Sequence, residues 1–161
     1  MNLLVDLDKR ALALVLATAV AVPAEGLRQI AYYDPPGILT VCRGHTGPDV
    51  APDRRYSLSE CDRLLTDDMR LALSKVDSCR PGLPVEVLAA FGDAVFNLGP
   101  TVACDLAKST AARKLRAGDL AGACNELVRW NKATIAGVKL TLPGLSKRRE
   151  MERDLCLKGL A

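Results

Sequence analysis

Six cysteines, Cys42, Cys61, Cys79, Cys104, Cys124 and Cys156, stand singly along a chain of 161 residues. Their number is even, none lies in C-x-x-C spacing, and the lone histidine, His45, cannot complete several metal sites, so no metal or cofactor is expected. In an oxidising compartment the six would close three disulfides and pin distant segments together, with fifteen connectivities open to them. In a reducing one they would be six small buried apolar side chains. We take the first reading.

The chain is long enough for one domain with a real core, or for two small lobes that share a helix. It is 49% hydrophobic but only 4% aromatic. Its Ala and Leu content favours helix over strand. The net charge of +3 conceals a split: residues 108–161 carry 12 Lys and Arg against 5 Asp and Glu, a local +7, whereas residues 1–107 carry 10 against 14, a local −4. Such a basic half attracts an anionic polymer. No zinc-finger spacing, glycine-rich phosphate loop or strongly basic recognition helix is present, so an acidic wall glycan or membrane surface is preferred to nucleic acid.

Ala11–Ala24 is a run of 14 residues without a charge, preceded by Lys9 and Arg10. A membrane span needs about 20 apolar residues, so the run is marginal. Three readings stay open: an uncleaved export anchor, a buried first helix, or a signal cleaved after Ala24. Cleavage is disfavoured, because it would put an α-amino charge on Glu25. Pro23 should end or kink the helix just before that glutamate.

Asp34-Pro35-Pro36-Gly37 signals a turn. Ile38–Cys42 follows as a short β-branched strand on which Ile38, Thr40 and Cys42 share a face. A sheet of two or three strands fits residues 31–56. Ser57-Leu58-Ser59-Glu60 is a capping box, and helical spacing predicts a long helix over 58–79. Pro84 and Gly99 bracket VEVLAAFGDAVFNL, apolar nearly all round and hence a buried central helix. Shorter helices are predicted at 109–117, 119–130 and 145–158.

Glu25, Asp34 and Thr40 stand in the order E-x8-D-x5-T. Glycoside hydrolysis needs a proton donor for the leaving oxygen and a group that activates water or offsets developing positive charge. Glu25 suits the donor role if a partly apolar pocket raises its pKa. Asp34 suits the second, and the Thr40 hydroxyl could hold a water between them. On spacing alone the blander readings lead: a solvated helix-end carboxylate, a turn residue bonded to its own backbone, and a β-former.

The wider segment is more specific. G-L-R after the glutamate, Y-x-D-P, and T-V-C-x-G-H-T-G, followed by SLSECDRLL, FGDAVFNLG, GACNELVRW and LPGLSKRREMERDLC, resemble the phage-type lysozymes of glycoside hydrolase family 24 over residues 24–158. The cysteines and the apolar N-terminus further resemble the signal-arrest-release branch of these endolysins. The resemblance implies an α+β, mostly helical, lysozyme-like fold of two lobes. A small antiparallel sheet would lie in the N-terminal lobe (about 25–60), a linker helix at about 58–79 and a helical lobe at about 80–161, behind an apolar segment 1–24. It implies a monomeric muramidase that cleaves the β-1,4 bond between N-acetylmuramic acid and N-acetylglucosamine in the peptidoglycan glycan strand. Glu25 would be the general acid, Asp34 the second carboxylate and Thr40 the residue positioning water. Action in the periplasm after transient inner-membrane association through Ala11–Ala24 is implied as well. Ala24, after Pro23, and Arg43 depart from the bulky residue and the tyrosine common at these places.

Other positions carry expectations of their own. His45 is expected to pair with Asp68. Asn97, a polar side chain near the end of an apolar helix, needs partners and either caps backbone or contacts substrate. Trp130 reads as core, and Arg148 and Arg149 as solvated surface, one of them able to approach the acid. Cys42 on the strand and Cys61 at the next helix start would close the small lobe; the other four cysteines keep three pairings open, of which we take Cys79–Cys104 with Cys124–Cys156. Two different functions compete: a lytic transglycosylase, which needs only the glutamate, and a non-catalytic wall-binding module.

Overall fold

The computed structural model describes residues 3–161; Met1 and Asn2 of the apolar segment 1–24 lie outside the described residues. The uncharged run and the residues before it form one helix, α1 (Leu3–Ala24), and the chain leaves it one residue after Pro23. Its buried face is made of Ala13, Ala17, Val20 and Ala21, and these small side chains let it lie close on the central helix. Leu4, Leu12 and Val15 point outward and are exposed. Among the described residues, no helix is long and apolar enough to cross a membrane.

Three antiparallel strands follow in the order β1 (Arg28–Tyr33), β2 (Leu39–Cys42) and β3 (His45–Thr46). The sheet begins at Arg28, three residues before the predicted 31–56. Strand β2 begins at Leu39, so Ile38 lies outside it and is exposed, while Thr40, Val41 and Cys42 are all buried. Cys42 takes a φ of 61°, which ends the regular pleat there.

Helix α2 (Leu58–Cys79) opens with the complete capping box, Ser57 Oγ accepting from the Glu60 N–H while Glu60 accepts from the Ser57 N–H. This helix joins two cores. Cys61 and Leu64 close a small cluster with Val41, Val50 and Tyr56, whereas Met69, Leu73 and Val76 enter a large one. The large core surrounds α3 (Val85–Leu98), buried without interruption from Val87 to Val95. Gly92 has no Cβ, which is what allows Leu73 of α2 to rest on the α3 backbone.

Helices α4 (Thr101–Cys104), α5 (Thr110–Ala117) and α6 (Leu120–Glu126), a 3-10 turn at Leu127–Arg129 and α7 (Pro143–Lys158) complete this lobe. Trp130 packs partly buried against its core. The three disulfides are Cys42–Cys61 in the small lobe, Cys79–Cys104 from α2 to α4, and Cys124–Cys156 from α6 to α7.

A second sheet lies inside the helical lobe, where sequence reading left loop. Strands β4 (Lys132–Ile135) and β5 (Val138–Thr141) pair through Ile135↔Val138. The turn residues Ala136 and Gly137 both have positive φ, 49° and 78°. That combination matches the right-handed strand twist of a two-residue hairpin. Helix α7 then starts at Pro143, two residues earlier than its periodicity suggested, because proline suits the first helical turn.

Candidate active site

Glu25 stands where α1 stops, its N–H donating to the Ala21 carbonyl at 2.9 Å. Its side chain is about one-fifth exposed and meets two things. On the sheet side is Gly44, with a φ of 85°; a Cβ there would lie 3.4 Å from Oε2, so glycine permits the close approach. On the helical side is Arg148 of α7, whose Nη1 donates to Oε1 at 2.6 Å. The partly apolar pocket expected around Glu25 thus also holds a guanidinium.

Arg148 is nearly buried, correcting its reading as solvated surface, and so is Arg149. Asp93, in the middle of α3 and fully buried, accepts from Arg148 Nε at 2.9 Å and from Nη2 at 2.7 Å. Burial opposes the Arg148 charge, but Asp93 and Glu25 outweigh it and hold the guanidinium above its ordinary pKa. Arg149 bonds Glu152 at 2.5 Å. Burial, and the nearby Asp93, push the Glu152 carboxyl well above the carboxylate range. One signal for this cluster is in the sequence: Asp93 is a charge inside the apolar middle of its helix, and a buried charge needs a partner.

A cleft of about 440 Å³ opens beside Glu25, between the end of α1, α3 and the start of α7. Asn97, Arg148, Leu142 and Met151 line it with the glutamate. Asn97 Oδ1 is buried there and has no hydrogen-bond partner among the described residues. Such an orphaned acceptor in a cleft wall suits a ligand N–H or O–H.

Asp34 and Thr40 sit on the sheet side and do not line this cleft. Both are tied to Ile38: Asp34 Oδ1 accepts its N–H at 2.8 Å, and the Thr40 hydroxyl donates to its carbonyl at 3.0 Å. The two residues are thus fixed across one turn, with Thr40 buried. Arg43, the departure from tyrosine, reaches back to the Val22 carbonyl at the end of α1.

His45 stands on β3 with Nδ1 2.7 Å from Asp68 and Nε2 3.1 Å from Asp49. Burial opposes a charge on the ring, but Asp68 and Asp49 outweigh it and raise the His45 pKa above 6.5. Burial also raises Asp68, against the pull of His45, so both partners are ionised only between those two raised values. A histidine raised on folding stabilises the fold below its unfolded pKa, and that contribution fades as pH climbs through the folded value. An NMR titration should find His45 above 6.5 in the wild type and lower in Asp68→Asn. An unchanged value would rule the pairing out as its cause.

This two-lobed α+β fold, with a glutamate at the lobe junction, has counterparts among known proteins. The phage lysozyme family model matches residues 23–152, and the chain belongs to that family. It is 40% identical over 136 residues, 84% of this chain and 77% of the relative, to a protein of Bacteriophage PS119 named SAR-endolysin. Among solved structures it is similar to the active form of the P1 phage endolysin Lyz, with a TM-score of 0.76, 25% identity, and coverage of 91% of this chain and 85% of that one. Against the secreted inactive form of the same endolysin the TM-score is 0.53, also at 25% identity, over 71% of this chain and 78% of that one.

Proposed function

We propose that this chain is a peptidoglycan muramidase used for host lysis, which hydrolyses the β-1,4 bond between N-acetylmuramic acid and N-acetylglucosamine. The observation that carries the reading is Glu25, held by Arg148 at the mouth of a cleft whose wall presents the unpartnered Asn97 acceptor. Glu25 protonates the leaving oxygen as general acid. Asp34 serves as the second carboxylate, with one oxygen occupied by the Ile38 N–H. The Thr40 hydroxyl donates its hydrogen bond to the Ile38 carbonyl and keeps lone pairs that accept from a water. Inversion leaves room for that water between acid and base.

Residues 1–24 serve as the signal-arrest-release segment and residues 25–161 as the catalytic domain. The enzyme acts in the periplasm after leaving the inner membrane. The higher similarity to the active form of the P1 endolysin supports equating docked α1 with the competent state, since α1 ends directly at Glu25.

The direct test is clearing of outer-membrane-permeabilised bacteria. Wild-type protein lowers turbidity, whereas a wall-binding module would leave it unchanged. Asn97→Ala should raise KM about five- to tenfold, equivalent to one lost hydrogen bond, with kcat within about twofold. An unaltered KM would remove Asn97 from the substrate site.

A further inference from the structure

Asp93 is a carboxylate in an otherwise apolar stretch of α3, flanked by buried Ala89, Ala90, Ala94 and Val95. Such a charge is tolerated only when paired and hydrogen-bonded. Both of its oxygens are occupied by one guanidinium, through Arg148 Nε and Nη2. The third nitrogen of that rigid planar group, Nη1, is the one that meets Glu25. The direction of Nη1 is therefore set from behind, by Asp93. The Phe96 ring, one turn further along α3, lies 5.9 Å from the same guanidinium and supports its plane.

We propose that Asp93 is a positioning residue for the hydrolysis: its two-point grip fixes Arg148 against Glu25 and offsets the arginine's charge on the side away from the cleft. The inference rests on Glu25 being the general acid. A guanidinium paired with Glu25 alone would favour the carboxylate, which is the wrong form for protonating a leaving oxygen. Titratable groups face Arg148 from each neighbouring element: Glu25 at the end of α1, Asp93 on α3, and Arg149 and Glu152 on α7 itself. Glu152 is already engaged by Arg149 and lies 3.9 Å from Arg148 Nε, farther than either oxygen of Asp93. Asp93 is thus the carboxylate that balances Arg148 on the side away from the cleft.

The test is the pH profile of Asp93→Asn beside wild type and Glu25→Gln, each checked for folding by near-ultraviolet circular dichroism. Asp93→Asn is expected to lower kcat about tenfold or more, with KM within about twofold. The basic limb of its kcat/KM profile should move about one unit towards lower pH. A profile superimposable on wild type, with unchanged kcat, overturns the positioning role of Asp93. If Glu25→Gln stays active, it is the acid assignment that fails, whatever Asp93 does. Should asparagine at this buried site prevent folding, Arg148→Lys is the second variant, because an ammonium cannot span both carboxylates in the fork geometry. It must show the same loss confined to kcat, and wild-type kcat in Arg148→Lys overturns the proposal equally.

Discussion

Glu25→Gln is expected to lower kcat/KM on purified peptidoglycan by about 10²–10⁴-fold, the contribution of a positioned general acid. The amide keeps the size of the carboxyl, and its oxygen can still accept from Arg148 Nη1, so the melting temperature should stay within a few degrees of wild type. What it cannot do is deliver a proton. Loss of rate without loss of fold is the signature of a group that acts in the reaction, and a structural ion pair alone would give the opposite pattern. A folded Glu25→Gln protein with wild-type kcat/KM would sink the mechanism.

The second large effect is on stability. Cys124 and Cys156 are fully buried, and their disulfide closes a loop with a sequence separation of 32. Removing such a crosslink with the double change Cys124→Ala and Cys156→Ala should cost about 3–4 kcal/mol, chiefly by giving the unfolded chain more conformational freedom. Urea unfolding measures it, and a loss under about 1 kcal/mol would contradict the expectation. The consequence reaches the site, because the same bridge holds α6 to α7, and α7 carries Arg148. The shorter Cys42–Cys61 link, with a separation of 19, should contribute somewhat less.

Much of this fold was legible because its signals are local. The Ser57–Glu60 box marks the start of α2, the Asp34–Gly37 turn sets up β2, and the apolar run from Val85 to Leu98 announces a central helix. The β4–β5 hairpin was missed because its turn is Ala136-Gly137 rather than Asn-Gly, and its strands are only four residues each. Thr40 and Cys42 are both buried, but Ile38 falls off their face because β2 begins only at Leu39, and a period-two pattern does not mark where the turn ends and the strand starts.

The site was less legible than the fold. Glu25 and Arg148 are separated by 123 residues, and nothing local says that they meet. The run of basic residues around Lys147–Arg149 looks like a solvated face until the helix it belongs to is packed against Asp93 and Glu25. Asp93 needed the converse inference: a charge in a buried helix predicts a buried cation elsewhere, and Arg148 and Arg149 of the basic C-terminal helix were candidates.

Mass spectrometry of the muropeptides released from purified peptidoglycan tests the proposed chemistry most directly. Water attack with Glu25 as acid predicts products that end in reducing N-acetylmuramic acid. Products ending in 1,6-anhydro-N-acetylmuramic acid would show intramolecular attack instead, and would contradict a hydrolytic role for Asp34 and Thr40.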